Sequence, residues 1–278
     1  MASGEAAEEA PGHPGILRLT APNPGPMTLS GTNTYVVGAD PAWVIDPGPA
    51  DEGHIARVRA AAEARGGIGG VVLTHSHRDH NEGVEMLGAG LAFGNPEGFD
   101  DLAALMASGP IELPSTPASE LGTDVGPLRA YATAGHATDH VVFVHGDACF
   151  CGDLILGEGS SIVPPRAGGG SLADYMTSLD LVADLAPALL CPGHGPWITE
   201  PAKAIAGYAA HRRERERLLV EALAAGLRDV DDLLDAAWGD VPEAMRPAAA
   251  LAMRAHLEKL DDEGRLPERV TAELWPSG

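Results

Sequence analysis

"VVLTHSHRDHNEG", residues 71–83, sets His75, His77, Asp79 and His80 within six positions, directly after the apolar run Val71-Val72-Leu73. The whole chain of 278 residues has only 11 histidines, so three in one turn need a cause. A short apolar run with glycine before it reads as a buried strand, and the end of a strand is a rigid mount for side chains. Imidazole nitrogen and carboxylate oxygen are good ligands for Zn2+, Mn2+ or Fe2+. The H-x-H-x-D-H spacing is not the i, i+4 pair of a helical H-E-x-x-H, so a loop has to turn these groups inward. Adjacent Asp79 and His80 do not readily converge on the ion that His75 and His77 reach, which makes two metals more natural than one. The competing account is a histidine-rich surface turn.

A metal site needs further ligands, and other strand ends supply them. "ATAGHATDH" offers His136, "CGDLIL" offers Asp153 and "CPGHG" offers His194. Each lies at or beyond an apolar run and beside glycine, which lets backbone pass close to a crowded centre. Working outward again, "ILRLT", "NTYVVG", "AWVIDPG", "GGVVLTH", "LRAYATAG", "HVVFVHG", "ACFCGD" and "ALLCPGHG" read as strands. "DEGHIARVRAAAEARGG" and "SLADYMTSLDLVADL" read as helices, the second with Ser171 as N-cap and Leu172, Tyr175, Met176, Leu179 and Val182 along one face. Strands mixed with helices in this way predict an α/β fold of sheets covered by helices.

Residues 1–14 are small and acidic, and predict a disordered tail. Residues 15–200 form the strand-rich unit. From 201 to 278 helical patterns take over, "AKAIAGYAAHRRERERLLVEALAAG", "DVDDLLDAAWG" and "EAMRPAAALAMRAHLEKLDDEG", followed by a β-like "RLPERVTAELW". Three helices and such a tail predict a small winged-helix-like module.

Net charge is −22, and residues 1–200 hold seven arginines and no lysine against 25 acidic residues, a balance of −18. Such a surface repels polyanions and anionic membranes. No stretch predicts a signal peptide or a membrane span. The three cysteines, Cys149, Cys151 and Cys191, read as reduced thiols; together these features place the chain in the cytoplasm, as a soluble protein.

At this point the sequence resembles the metallo-β-lactamase superfamily. T-H-x-H-x-D-H, then G-H, G-D and G-H follow in that family's order, and "VIDPG" matches its first motif. The resemblance implies an αββα sandwich with two zinc ions, Mn2+ or Fe2+ being the alternatives. By the same resemblance His75, His77 and His136 bind one ion, Asp79, His80 and His194 bind the second, and Asp153 bridges them. Asp46 and His140 stand behind the ligands and orient them. "SGTNTYVVG", "GEGSS" and "DYMTSL", with "HRRERERLL" and "HLEKLDDEGRL" in the tail, resemble the beta-lactamase-like protein 2 group, whose hydrolase domain precedes a winged-helix-like domain. Ala134 and Ala137, beside His136, depart from the residues common there.

Two ions about 3.5–4 Å apart hold a bridging hydroxide at neutral pH and stabilise charge developing on a substrate oxygen. Asp79 and Asp153 are then the catalytic carboxylates. The resemblance leaves two substrate classes: a small ester, thioester or lactone, or the phosphodiester of single-stranded RNA. Polyanion binding needs cations and base stacking needs aromatics, and residues 1–200 are poor in the first and the chain, at 4% aromatic, in the second. A small-molecule substrate is therefore favoured and RNA is the alternative, with no membrane partner. From another class comes a DNA-binding regulator, for which Arg246, Arg254 and Lys259 are thin provision. The tail shapes the substrate cleft or makes a homodimer. The run Arg212–Arg217 predicts a solvated helix face with internal charge pairs.

Overall fold

The structure, a computed structural model, describes residues 7–88, 91–93, 111–113 and 128–266. Strands β1 (Glu8–Ala10), β2 (His13–Thr20), β3 (Asn33–Val37), β4 (Ala42–Ile45), β5 (Ile68–Val72) and β6 (Leu91–Phe93) make one sheet in that spatial order. Strands β7 (Ile111–Leu113), β8 (Leu128–Ala132), β9 (Val141–His145), β10 (Ala148–Gly152) and β11 (Leu189–Pro192) make the second, in the order β11-β10-β9-β8-β7. Only β4–β5–β6 and β10–β11 pair in parallel; the other neighbours are antiparallel.

The strands read as near-continuous apolar runs because both faces of each sheet are covered. Side chains alternate across a strand. Tyr35, Val37, Trp43, Ile45 and Val72 of the first sheet therefore point the same way, and meet Leu128, Val141, Phe143, Phe150 and Leu189 of the second. Tyr35 and Phe150 cross edge to face with ring centroids 5.1 Å apart. Their alternates point outward: Val36, Val44, Val71 and Leu73 lie under helix α1 (Glu52–Glu63), where Ile55, Val58 and Ala62 cover them. On the far side Val142, Val144, Cys149, Cys151 and Leu190 are covered by helix α4 (Leu172–Asp184) through Leu172, Tyr175, Leu179 and Val182. Each such aliphatic side chain, fully buried, contributes about 1.5–3 kcal/mol. The order is helix, sheet, sheet, helix: the αββα sandwich.

Caps define the helix starts. Asp51 accepts from the His54 N–H ahead of α1, and Ser171, the cap the sequence predicts, accepts from the Asp174 N–H ahead of α4. Two short helices, α2 (Arg78–Asn81) and α3 (Gly83–Leu87), follow β5. The first lies in the histidine-rich turn and the second just beyond it, and neither was expected.

After residue 200 comes α5 (Pro201–Ala224), then α6 (Val230–Trp238) and α7 (Arg246–Asp262). The first half of α5 belongs to the sandwich, for Ile205 and Ala209 pack in the same cluster as Leu179 and Tyr175. Its second half, with Leu219 and Leu223, builds a separate core against Leu233, Trp238, Met253 and Leu257. One helix thus serves two cores.

Two expectations need correction. The tail at 1–14 is not disordered throughout: Glu8 and Glu9 pair with Arg18 and Leu17 of β2, and Arg18 reaches the Glu8 carboxylate. The run Arg212–Arg217 is not all solvated, since Arg212 and Arg215 are buried; Arg217 does pair with Glu214 and Glu221. The β-like stretch expected at 265–275 lies, from 267 on, outside the described residues.

Candidate metal centre

Because β8 and β10 run the same way and β4–β5 and β10–β11 are parallel, their carboxyl ends share one lip of the sandwich. Asp46 follows β4. His75 and His77 follow β5, and α2 carries Asp79 and His80. His136 lies beyond β8, Asp153 follows β10 and His194 follows β11. The two sheets are joined at this lip: Val141 N–H donates to Thr74 O (2.7 Å), Asn33 N–H to Gly193 O (2.7 Å) and Tyr35 O–H to Pro192 O (2.7 Å). The lip is thus the place where residues distant in sequence are held rigidly together.

The seven residues singled out as ligands fall into two groups, His75 with His77, His136 and Asp153, and Asp79 with His80 and His194. In each group one ligand atom from every residue lies within 4.8 Å of all the others. His77 Nδ1 is 3.0 Å from His75 Nε2 and 3.1 Å from His136 Nε2, and His80 Nε2 is 3.4 Å from His194 Nε2. The Asp153 carboxylate lies between the groups: Oδ2 is 3.7 Å from His136 Nε2 and 3.4 Å from His194 Nε2, and Oδ1 is 3.6 Å from His80 Nε2. Asp79 Oδ2 is 3.3 Å from His194 Nε2 and receives the Thr32 hydroxyl at 3.2 Å.

Hydrogen bonding on the far side of each ring says which nitrogen faces the centre. His136 Nδ1 donates to Ile162 O (2.8 Å) and His194 Nδ1 to Gly31 O (3.2 Å), since a carbonyl can only accept. His80 Nδ1 donates to Asp46 Oδ2 at 2.9 Å. Thr74 gives its own hydroxyl proton to Asp46 Oδ2 (2.7 Å), so its oxygen is left to accept from His75 Nδ1 at 3.0 Å. Four imidazoles then turn Nε2 to one small volume, and those of His75 and His136 do so as bare lone pairs. Asp153 Oδ1, buried and without a hydrogen-bond partner, faces the same volume. Lone pairs and a bare carboxylate oxygen repel one another unless a cation stands between them, and divalent metals are the cations this donor set suits. The residues fit the metals the motifs imply.

Electrostatics divides the groups in the same way. Burial pushes the His75, His77 and His136 rings below the usual imidazole range, so these three are neutral. His194 is opposite: burial works against its proton, yet the Asp153 and Asp79 carboxylates carry it up to about 10. His80 is raised by Asp153 and Asp46 against the same burial. The hydrogen bond from His194 and the charge of His80 hold Asp79 at about 2 despite burial, and His194 and His80 keep Asp153 well below the carboxylate range. The second group therefore needs positive charge, which a proton or a metal ion can bring.

Asp46 and His140, expected to orient the ligands, lie against His80 and His75 respectively. Asp46 sits in the left-handed region at φ 50°, which aspartate tolerates better than most residues. From that turn its Oδ1 accepts the Thr74 N–H at 2.7 Å while Oδ2 serves Thr74 and His80. His140 bonds Thr133 Oγ1 through Nδ1 (2.8 Å), lies with its ring 5.3 Å from His75, and is pushed down to about 3 by burial and by His136. Four contributors went unread. Asp139 accepts the Ser76 N–H at 2.9 Å and pins the turn, and Thr74 relays Asp46 to His75. Ser161 donates to Asp153 O at 2.6 Å, and Asn33 donates to Pro192 O and Gly195 O on either side of His194. Thr74 and Asp139 lie inside the motifs, so closeness to a ligand was their only signal.

Residues 27–194 match the metallo-beta-lactamase superfamily model, and residues 230–275 match the beta-lactamase associated winged helix domain. A beta-lactamase-like protein 2 homolog of Drosophila melanogaster is 33% identical, over 90% of this chain and 89% of its own. The thioesterase pkgB of Emericella nidulans is 34% identical over 75% of this chain and 59% of its own. A beta-lactamase domain protein from Burkholderia ambifaria, 18% identical, superposes over 95% of this chain and 90% of its own with a TM-score of 0.71.

Proposed function

Since the chain belongs to the metallo-beta-lactamase superfamily of hydrolases, with that family's associated winged-helix domain, we propose that it is a two-zinc hydrolase of esters, thioesters or lactones, working in the cytoplasm. The observation that carries this is the meeting of four imidazole Nε2 atoms with the unpartnered Asp153 oxygen at one lip. When bound, two divalent ions acidify a water molecule and polarise the carbonyl it attacks. His75, His77 and His136 would hold one ion and Asp79, His80 and His194 the other, with the Asp153 carboxylate lying between the two groups. Asp79, whose Oδ2 is held by Thr32 and which is the less buried of the two carboxylates, is the one placed to orient the attacking water. Asp46 keeps His75 and His80 turned inward through the whole cycle.

Three features favour an acyl substrate. Residues 1–200 carry no lysine and a balance of −18, so few cations are left to hold phosphates beside the metals. One relative of comparable identity is named a thioesterase. The tail is also short of free positive charge: Arg246 is paired with Asp235, and Lys259 with Glu216 and Glu263. Of the three cations expected to read DNA, only Arg254 has no carboxylate partner among the described residues. This weighs against the regulator as well as against RNA.

The deciding experiment is one panel run with the wild type and His77→Ala: an acyl thioester, a lactone, a cephalosporin, a phosphodiester reporter and labelled single-stranded RNA. Thioester or lactone turnover that vanishes in His77→Ala is the expected result. Efficient RNA cleavage at physiological salt, with every acyl substrate inert, would put the nuclease in its place.

A further inference from the structure

A cavity of about 590 Å³ lies between loop 159–162 of the sandwich and helices α5, α6 and α7. That volume is in the range of small-molecule sites. Its apolar wall includes Trp238, Val241, Met245 and Ala249, and its polar side is Arg212 and Arg215. The two arginines differ in one respect. Arg215 is neutralised by Asp240, in a two-pronged pair at 2.6 and 2.9 Å. Arg212 is 4% exposed, and among the described residues no carboxylate reaches it. Its guanidinium donates to Ser161 O and lies 5.1 Å from the Tyr175 ring, but its Nε has no partner. A buried charge is costly unless an opposite charge or full hydrogen bonding offsets it. A carbonyl and a ring face offset this one only in part.

The cavity also adjoins the metal centre. Ser161, which takes the Arg212 bond at its carbonyl, sets its hydroxyl 3.3 Å from His136 Nδ1 and donates to Asp153 O, and Ile162 O orients His136. Both Ser161 and Ile162 line the cavity. One segment is therefore a wall of the cavity and a support of the ligands.

We propose that this cavity is a subsite for an apolar carboxylate, the acid end of the acyl group being hydrolysed, with Arg212 as its counter-charge and the Trp238–Met245 wall against its chain. The inference rests on the acyl-hydrolase reading for the identity of the substrate, though not for the existence of the subsite. It gives the tail a task, which is to select acids whose far end carries negative charge.

The test uses the metal-loaded full chain, with sodium suberate and its neutral diamide as probes in calorimetry. Suberate binds the wild type and binds Arg212→Gln about tenfold more weakly, the worth of one charge-assisted hydrogen bond. Ala248→Trp, which leaves the Arg212–Ser161 contact alone and fills the cavity, also weakens suberate, at equal metal content by elemental analysis. The diamide shows no dependence on Arg212. In turnover, the N-acetylcysteamine monothioester of suberate is preferred over its ω-methyl ester by kcat/KM, and Arg212→Gln brings that ratio to about one. Equal suberate affinity in all three proteins would mean that the carboxylate sits on the ions, and would overturn the subsite. If suberate binding depends on Arg212 and Ala248 while every thioester is inert, the subsite stands and the acyl-hydrolase reading falls.

Discussion

Asp46 and Asp153 are both buried carboxylates at the ends of strands, yet their surroundings give them different work. Every strong contact of Asp46 is a hydrogen bond from Thr74 or His80, while Asp153 Oδ1 has none. Asp153→Ala is therefore expected to abolish turnover and to leave the two ligand groups unable to share their ions, with the far-ultraviolet circular dichroism unchanged. Near-normal turnover in the metal-loaded variant would remove Asp153 from between the groups. Asp46→Ala should instead keep both sites and weaken metal binding about 10–100-fold, since it frees two imidazoles to rotate. Competition with a chelator reads this directly, and unaltered affinity would contradict the relay through Thr74. His256 belongs to the tail core, 5.5 Å from Trp238, with both ring nitrogens unpartnered. Burial, then the charges of Arg212 and Lys259, press it from 6.5 down to about 3. Above 6.5 neither folded nor unfolded chain protonates it. Below that, the unfolded chain takes up a proton that the folded one refuses, so stability drains away as pH falls towards 3. His256→Phe should lose less Tm than the wild type when the buffer is taken from about pH 7 to about pH 5. Equal losses would mean that His256 does not contribute to the acid response.

At the scale of elements, the strand ends matter more than the strands. Gly193 leads from β11 into His194, donating to Gly152 O at 2.8 Å and accepting from Asn33 N–H. A Cβ there would overlap Asp153 Oδ1 and come within 2.7 Å of His80 Cε1. Neither neighbour can yield without leaving the centre. Gly193→Ala is accordingly expected to bind clearly less metal by elemental analysis, in a protein that still folds; full occupancy would show that the lip has slack. Much of this level was legible from the sequence: all eight expected strands and the two helices α1 and α4 occur, with Ser171 as a cap. The short strands β1, β6 and β7 were not legible. Three residues carry too little alternation to register, and their pairing comes from neighbours already in place. Helix α2 was hidden because ligand chemistry, rather than apolar periodicity, chooses its residues, and α3 because five residues are too few to show a helical period. The Arg212–Arg217 run misled for another reason. Charge along a helix says nothing of what packs on it, and here a second core and the loop at Ser161 do.

For the whole molecule, metal and fold should be one thermodynamic unit. A ligand that binds only the folded state raises stability by RT ln(1 + [L]/Kd), about 4 kcal/mol at a thousandfold excess over Kd. Exhaustive chelation is therefore expected to lower Tm by several degrees, and about two equivalents of Zn2+ should restore it. Recovery complete at one equivalent, with no further change at the second, would contradict a two-ion centre. The same reasoning extends to the tail, because α5 joins the sandwich to the tail core. Among the described residues no helix is long and apolar enough to cross a membrane.

The sequence by itself determined the chemistry of this protein: which residue types stand at strand ends, in what order, and that buried strands alternate with covering helices. Those are local properties, written in spacing and in apolar runs. Which ligands share a group was implied by the resemblance of the motifs; only the tertiary structure decided how they meet, because closing the two sheets at one lip brings Asp153 between His136 and His194 across gaps of 17 and 41 residues. It alone decided, too, that Arg212 is buried beside that lip with no counter-charge among the described residues. Burial depends on what other parts of the chain come to rest against a side chain, and no spacing along a helix records that.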